Sequence, residues 1–348
     1  MSWYNTVGAC PEHVLYSKVR YIRNVTSLPF SAFSGSGRAE GVLNTTDKIL
    51  GGGGFKKEEL GRAKSIALLA LAEKQLIDAD LVESDRNRYI YTNEPCNATV
   101  ALGGDDMISI SAVVAGLSVK EAQRVASGTE EMLEGGIDFA YDDKIGYLSR
   151  KVEKCGAGME FSAALYLPSL RYGENDGVIV CEAARRGAHL YPMFSFKDNA
   201  GDMFVLSYTP PFLCNESAAT EYFCSLLERI VAMERSREKM LFPEVSKMIT
   251  DAAARAMGTL LFARRISLGE MLSLVSDIRL AICLSGGSVD SLPELCDLNF
   301  IVAEGQDAAV ILSSGAKCLC VGDCDEARAA FTRKYISSRT DRSPHKAS

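Results

Sequence analysis

Three groupings of residue types in this 348-residue chain are spaced closely enough to suggest chemistry. The first is Gly51-Gly-Gly-Gly54 ahead of Phe55-Lys56-Lys57, glycines and cations of the kind that cradle phosphate at a helix N-terminus. Its spacing fails. A P-loop needs Gly-x4-Gly-Lys-Ser/Thr and a dinucleotide loop needs a third glycine after a strand, so the run reads as a mobile linker. The second is Cys318-Leu-Cys320 with Cys324, whose thiolates could hold zinc. A structural site needs a fourth ligand, and no histidine among His13, His189 and His345 lies nearby, so these read as structural thiols with no metal. The third is the basic run Lys18, Arg20 and Arg23, cations that either meet phosphate or pair with surface acids. The other cysteines are scattered in an odd total of eleven and sit mostly in apolar runs (Cys181, Cys224, Cys283), where a thiol behaves as a small hydrophobe.

Composition narrows the field. Apolar residues make up 47% and charged residues 24%, the balance of a globule with ample core. A formal charge of −7 is the wrong sign for a protein that lives on nucleic acid or anionic lipid. The longest clean apolar run, Ile66 to Ala72, is far short of the roughly 20 residues a membrane span requires. The first residues lack a charged region followed by an apolar one, so no signal peptide is expected and the cytoplasm is the default. The sequons at Asn24, Asn44, Asn97 and Asn215 are then chance matches.

The elements that must position these residues fall into two textures. Residues 1–88 read as a small, mainly helical domain, with one helix over Lys56–Leu76. From residue 89 the pattern turns to short β-rich runs: a hairpin of Thr99–Leu102 and Met107–Val114, then strands near Phe161–Leu167, Gly177–Cys181, Tyr191–Phe196 and Met203–Tyr208. Capping boxes at Ser118 and Ser267 start helices that run to about Leu133 and Cys283. Between them lie two long helices, Glu216–Leu241 and Pro243–Arg265. Turn-like links between strands point to an antiparallel sheet flanked by helices, an α+β fold over 89–336, with a disordered polar tail over 337–348.

Several stretches in order resemble the bacterial protein-arginine kinases of the ATP:guanido phosphotransferase family. Tyr16-Ser-Lys-Val-Arg-Tyr-Ile-Arg-Asn24 is similar to that family's SSRIRLARN, and Glu73-Lys-Gln-Leu-Ile77 to its EKHLI. Phe139-Ala-Tyr-Asp-Asp-Lys-Ile-Gly-Tyr-Leu148 with Cys155-Gly-Ala-Gly-Met159 resembles FAFDEKLGYLT and VGTGLRAS. Gly201–Ser207 is similar to GNLYQIS, and Ser276-Asp-Ile-Arg-Leu280 to SDVRLGID. The resemblance runs from Trp3 to about Arg333. It implies a helical N-terminal domain before a phosphagen-kinase-like sheet domain, and ATP with Mg²⁺ as the phosphoryl donor.

Moving a γ-phosphoryl to a guanidinium needs a fan of arginines on the phosphates and carboxylates on the acceptor. What the resemblance implies for the fan here is dismantling. Ser17, Lys18 and Arg20 fall in the first nucleotide segment, with Lys18 in place of an arginine. Gln75 stands for a histidine, Ser109 for a phosphate-binding arginine, and Glu160, followed by Ser162, for another. Cys181 stands at a further arginine and Arg186 at the second acceptor carboxylate. Asp105 takes the first acceptor-carboxylate position. One such arginine is worth about 10³–10⁵ in rate, so the chain is expected to be catalytically degenerate. Near the C-terminus Asp325, Arg328 and Ala329 match an RDxxRA element that reads phosphoarginine, although Asp325 and Arg328 also form a plain i,i+3 pair. The expected role is a regulatory or scaffold pseudokinase. An active kinase with a rearranged site and a phosphoarginine-binding module stand as alternatives. Implied partners are a related protein-arginine kinase, an adaptor, a repressor or a Clp component, in a homo- or hetero-oligomer built on the C-terminal helices.

Overall fold

The computed structural model describes residues 2–340 apart from 31–32, 34–36, 38, 63, 94, 96, 173–176, 195–200, 213, 286–291 and 316–320. Eight strands form one antiparallel sheet. In chain order the elements begin with β1 (Val14–Arg23), α1 (Glu40–Gly52), β2 (Phe55–Gly61), α2 (Ile66–Glu73) and α3 (Ala79–Glu83). There follow β3 (Arg88–Asn93), β4 (Ala98–Leu102), β5 (Ile108–Ala115), α4 (Val119–Glu134) and a small hairpin, β6 (Tyr141–Asp142) with β7 (Gly146–Tyr147). Then come β8 (Met159–Tyr166), α5 (Ser169–Tyr172), α6 (Gly177–Arg185), β9 (His189–Pro192) and β10 (Met203–Tyr208). The chain closes with α7 (Glu216–Phe262), α8 (Leu268–Leu284), α9 (Leu295–Glu304), α10 (Asp307–Ser314) and α11 (Val321–Thr340). The sheet order is β2-β3-β4-β5-β1-β8-β10-β9.

Strand alternation sends successive β1 residues to opposite faces. Val19 and Tyr21 join Phe161, Ala163 and Leu165 of β8 under α4, α6 and the first half of α7. Tyr16, Ala164 and Tyr166 join Trp3 and Tyr4 under α8, α9 and the second half of α7. The sheet is therefore buried on both sides near β1, and all ten β1 residues are buried.

The α+β class and the antiparallel sheet agree with the sequence reading, as do the β4–β5 hairpin, β8, β10, α4 and α8. Five segments differ. Residues 1–88 contain β1, at the middle of the sheet, because its two-residue alternation carries charges on one face and so conceals the pattern. Residues 55–61 form edge strand β2 instead of a helix start. Lys56, Lys57, Glu58 and Glu59 favour helix locally but pair with Thr92, Tyr91, Ile90 and Tyr89 of β3, and charge suits an edge. Gly177–Cys181 lies in helix α6, where Ile179, Glu182 and Ala183 bury one face at helical spacing. The two long helices are one, α7, which runs through Pro243. Helix α11 extends through Thr340, so 337–340 is ordered; residues 341–348, Cys318 and Cys320 lie outside the described residues.

Candidate functional site

On the face of the sheet away from α4, Lys18 and Arg20 of β1 stand between β5 and β8. Arg20 is opposite Ser111 on one side and Glu160 on the other, and Lys18 is opposite Ser162. The segment between α2 and α3 closes over them. Lys18 Nζ meets Asp78 Oδ1 at 2.6 Å and donates to the Gln75 carbonyl at 3.2 Å. Arg20 is satisfied on every nitrogen: Nε donates to Ser109 Oγ at 2.8 Å and lies 3.2 Å from Asp78, Nη2 is 2.7 Å from Asp80, and Nη1 is 3.1 Å from Glu160. The second oxygen of Glu160 holds Lys154 at 2.8 Å. Three cations (Lys18, Arg20, Lys154) thus face three carboxylates (Asp78, Asp80, Glu160). Burial opposes ionisation of Asp78, but Arg20 and Lys18 outweigh it and hold its carboxyl well below the usual range. Burial likewise opposes the charge on Arg20, and Asp78, Asp80 and Glu160 outweigh it, so its pKa rises.

The closing segment is tied down from the C-terminal side. The Glu73 carboxylate accepts the amides of Ala308 at 3.0 Å and Ala309 at 2.8 Å, capping α10. Lys74 pairs with Glu304 at 2.8 Å, and the Trp3 indole donates to the Lys74 carbonyl at 2.9 Å. Gln75 turns the chain with φ +63° and offers its carbonyl, not its side chain, to Lys18.

Asp105 lies on the loop between β4 and β5. Its carboxylate meets Lys151 at 3.1 Å and Arg150 at 3.9 Å, and the hydrogen bond from Lys151 lowers its pKa. Next to it the buried Asp106 pins the loop, accepting from Asn24 Nδ2 at 2.7 Å, Ser149 Oγ at 2.9 Å and the Arg150 amide at 2.9 Å.

Several sequence-picked residues lie elsewhere. Ser17 points to the α4 face, where its hydroxyl donates to the Gly116 carbonyl at 2.8 Å and accepts from the Ser118 amide. One residue of offset on a strand puts it on the wrong side. Cys181 and Arg186 travel with α6, also on the α4 side; Cys181 is exposed, and Arg186 pairs with Glu182 at 3.3 Å. Neither is part of the Arg20 cluster. Arg23 is buried against Glu130 and stacks on Tyr147. Far from the cluster, Arg328 is fully buried and donates to the carbonyls of Gly305 (2.7 Å) and Ile266 (2.8 Å), to Asp325 at 2.9 Å and to Asp307; Ala329 is core. Sequence reasoning missed Asp78, Asp80 and Lys154. The signal available was Asp78-Ala-Asp80 directly after the EKHLI-like stretch, since a buried Lys18 and Arg20 require carboxylates somewhere. Among the described residues no group of three His, Cys, Asp or Glu is disposed to hold a metal ion.

Comparison with known proteins bears on this arrangement. Residues 43–237 match the ATP:guanido phosphotransferase C-terminal catalytic domain, and residues 246–347 match the protein-arginine kinase McsB C-terminal domain. Protein-arginine kinase of Pelotomaculum thermopropionicum is 26% identical over 304 residues, covering 84% of this chain and 85% of that protein. That of Symbiobacterium thermophilum is 26% identical over 344 residues, covering 97% and 96%. Among solved structures, a lombricine kinase superposes with TM-score 0.55 at 15% identity, over 68% of this chain and 71% of that one. A duplicated taurocyamine kinase from Schistosoma mansoni gives 0.54 at 16%, over 67% and 34%. With the sheet, the ordered motifs and both family domains in register, the chain belongs to the bacterial protein-arginine kinase family of ATP:guanido phosphotransferases.

Proposed function

We propose that this chain is a catalytically degenerate member of its family that works by binding, as a regulatory or scaffold subunit in protein-arginine phosphorylation. One observation carries the reading: the guanidinium of Arg20 is closed on all sides by Ser109, Asp78, Asp80 and Glu160. The residues present do not fit a nucleotide triphosphate. Its phosphates would have to displace three carboxylates from three cations, against a balanced field and without the charge-assisted forks that a fan of arginines provides. Nor do those carboxylates suit Mg²⁺, since each is already paired with a cation of the chain. Asp105, held by Lys151 and Arg150, has a cation of the chain where an acceptor guanidinium would sit.

The partners this reading favours are an active protein-arginine kinase, an adaptor, a repressor or a Clp component. Self-association through the C-terminal helices would use the exposed Met240, Met248 and Phe262 of α7, because the stripe residues Phe223, Leu226, Leu227, Ile230, Met257 and Leu260 are buried within the chain. A phosphoarginine-reading role is less favoured, as Arg328 is fully engaged with backbone carbonyls and carboxylates.

Calorimetric titration with MgATP tests the reading. No binding in the micromolar range is expected, and the double variant Glu160→Arg, Ser109→Arg gains affinity without gaining phosphoryl transfer. Micromolar binding by the natural chain, or an arginine phosphorylation that Asp105→Ala abolishes, would instead establish a working kinase with a rearranged site.

A further inference from the structure

The α4 side of the sheet carries a feature that the Arg20 cluster does not explain. Helix α4 ends at Glu134, and the chain then runs beside Asn24–Thr26, just past β1, with Ile137 and Phe139 buried and Asp138 exposed between them. That backbone is pinned: the Thr26 amide donates to the Asp138 carbonyl at 3.1 Å and the Ala140 amide to the Asn24 carbonyl at 2.7 Å. The β6–β7 hairpin follows, pairing Tyr141 with Tyr147 edge to face at 5.2 Å. Between helix end and hairpin lies an open cavity of about 630 Å³, lined by Glu134, Asp138, Phe139, Tyr141 and Tyr147.

We propose that this cavity binds the guanidinium of an arginine side chain presented by another polypeptide. Four observations converge on a planar cation. Among the described residues neither Glu134 nor Asp138 forms an ion pair, so two carboxylates at the hollow lack a cation, Glu134 accepting only a 3.4 Å hydrogen bond from the Tyr147 hydroxyl. Helix α4 directs its C-terminal, negative end at the same place, which favours a cation there. Two tyrosine rings supply walls for cation–π contact. The protein already uses one of them this way: the Arg23 guanidinium lies 3.4 Å from the centroid of the Tyr147 ring. Arginine suits the cavity better than lysine because its flat fork stacks on a ring while bonding a carboxylate, and an ammonium is a compact, strongly hydrated point charge. Lys144, the basic residue of the hairpin, lines the neighbouring hollow beside Asn215 and leaves this one free. The site is on the opposite face from Arg20, so it does not depend on whether nucleotide binds.

The test uses the full chain with ¹³C-labelled tyrosine rings, titrated with a blocked pentapeptide bearing one central arginine and with its lysine and citrulline counterparts. The arginine peptide is expected to shift the Tyr141 and Tyr147 signals saturably in the millimolar range. Lysine should bind several-fold more weakly and citrulline, which keeps the shape without the charge, not at all. Asp138→Asn and Tyr141→Ala, both at exposed positions, should each weaken binding about five-fold, the scale of an exposed cation–π contact, with unchanged thermal unfolding. Equal binding of citrulline or lysine, affinity unchanged in both variants, or no saturable shift would overturn the proposal.

Discussion

Every nitrogen of Arg20 already has a partner within the chain, and of the three carboxylates around it Asp78 is shared with Lys18 and Glu160 with Lys154. Removing it takes the ion pair from Asp80 and leaves Asp78 with Lys18 and Glu160 with Lys154 alone. Arg20→Ala is expected to destabilise by about 3 kcal/mol, the usual cost of breaking a buried ion pair from one side. Denaturant unfolding measures this, and adding Asp80→Asn to the variant should recover part of the loss. Asp105 makes the contrasting case. Its side chain is 40% exposed and its ion pairs are at the surface, so Asp105→Ala should change stability by no more than about 0.5 kcal/mol. At this scale the sequence was legible in grouping Ser109 and Glu160 with Arg20, where the structure has them in contact. It was not legible for Asp78 and Asp80, whose importance comes from a loop folding across the sheet.

Helix α7 buries an acidic pair at its middle. Glu234 accepts the Ser169 amide at 2.7 Å and the Ser169 hydroxyl at 2.6 Å, yet burial raises its pKa to about 7. Burial and the neighbouring Glu234 raise Glu238 to about 8, and it lies 3.4 Å from His13, whose own pKa burial lowers to about 4. Glu12, Arg235, Arg237, Asp202 and Arg279 surround the group. The two glutamates are protonated more readily folded than unfolded. Their contribution is complete below the ordinary carboxyl value of 4.5 and is lost as pH rises through about 7 and 8. His13 acts oppositely, but only below its unfolded value of 6.5. Stability should therefore fall from pH 6.5 to 8, and Glu238→Gln should flatten that fall in thermal melts recorded across the range. Elements were readable from sequence where local chemistry decides them. The Ser267 hydroxyl does accept the Glu270 amide and open α8. The matching box at Ser118 opens α4 without that bond, because its hydroxyl donates to the Ala115 carbonyl at 2.9 Å instead. Strands β1 and β2 were missed because sheet pairing, not local propensity, makes them strands.

Across the whole molecule, α7 runs for about 70 Å at the ordinary helical rise and serves both faces of the sheet. Phe223, Leu227 and Ile230 pack under β1 on one side, while Ile249, Ala253 and Leu260 pack with Trp3 and Tyr16 on the other. Buried Arg279 of α8 donates to the Pro11 carbonyl and to Asn299 at 2.8 Å, tying the first residues to the last helices. The segment matching the C-terminal family domain is thus structural cover for the sheet and not an appendage. A chain ended at residue 245 should lose its cooperative melting transition and be degraded by trypsin throughout, including within the sheet. A sharp transition retained by that fragment would show that the sheet stands without its cover.

Under the loss of nucleotide binding proposed above, the pairing of Glu160 with Arg20 also has an evolutionary consequence. An arginine at 160, opposite Arg20 and beside Lys154, is tolerable while an anion sits between them. With Asp78, Asp80 and Glu160 pairing these cations inside the protein, placing arginine alone at position 160 sets cations against one another with fewer carboxylates to separate them. Each single step back toward a phosphate-binding cleft is then uphill before any nucleotide rewards it. On that proposal loss of the ligand acts as a ratchet, leaving descendants of this chain freer to vary the binding surfaces around the cleft than to reopen it.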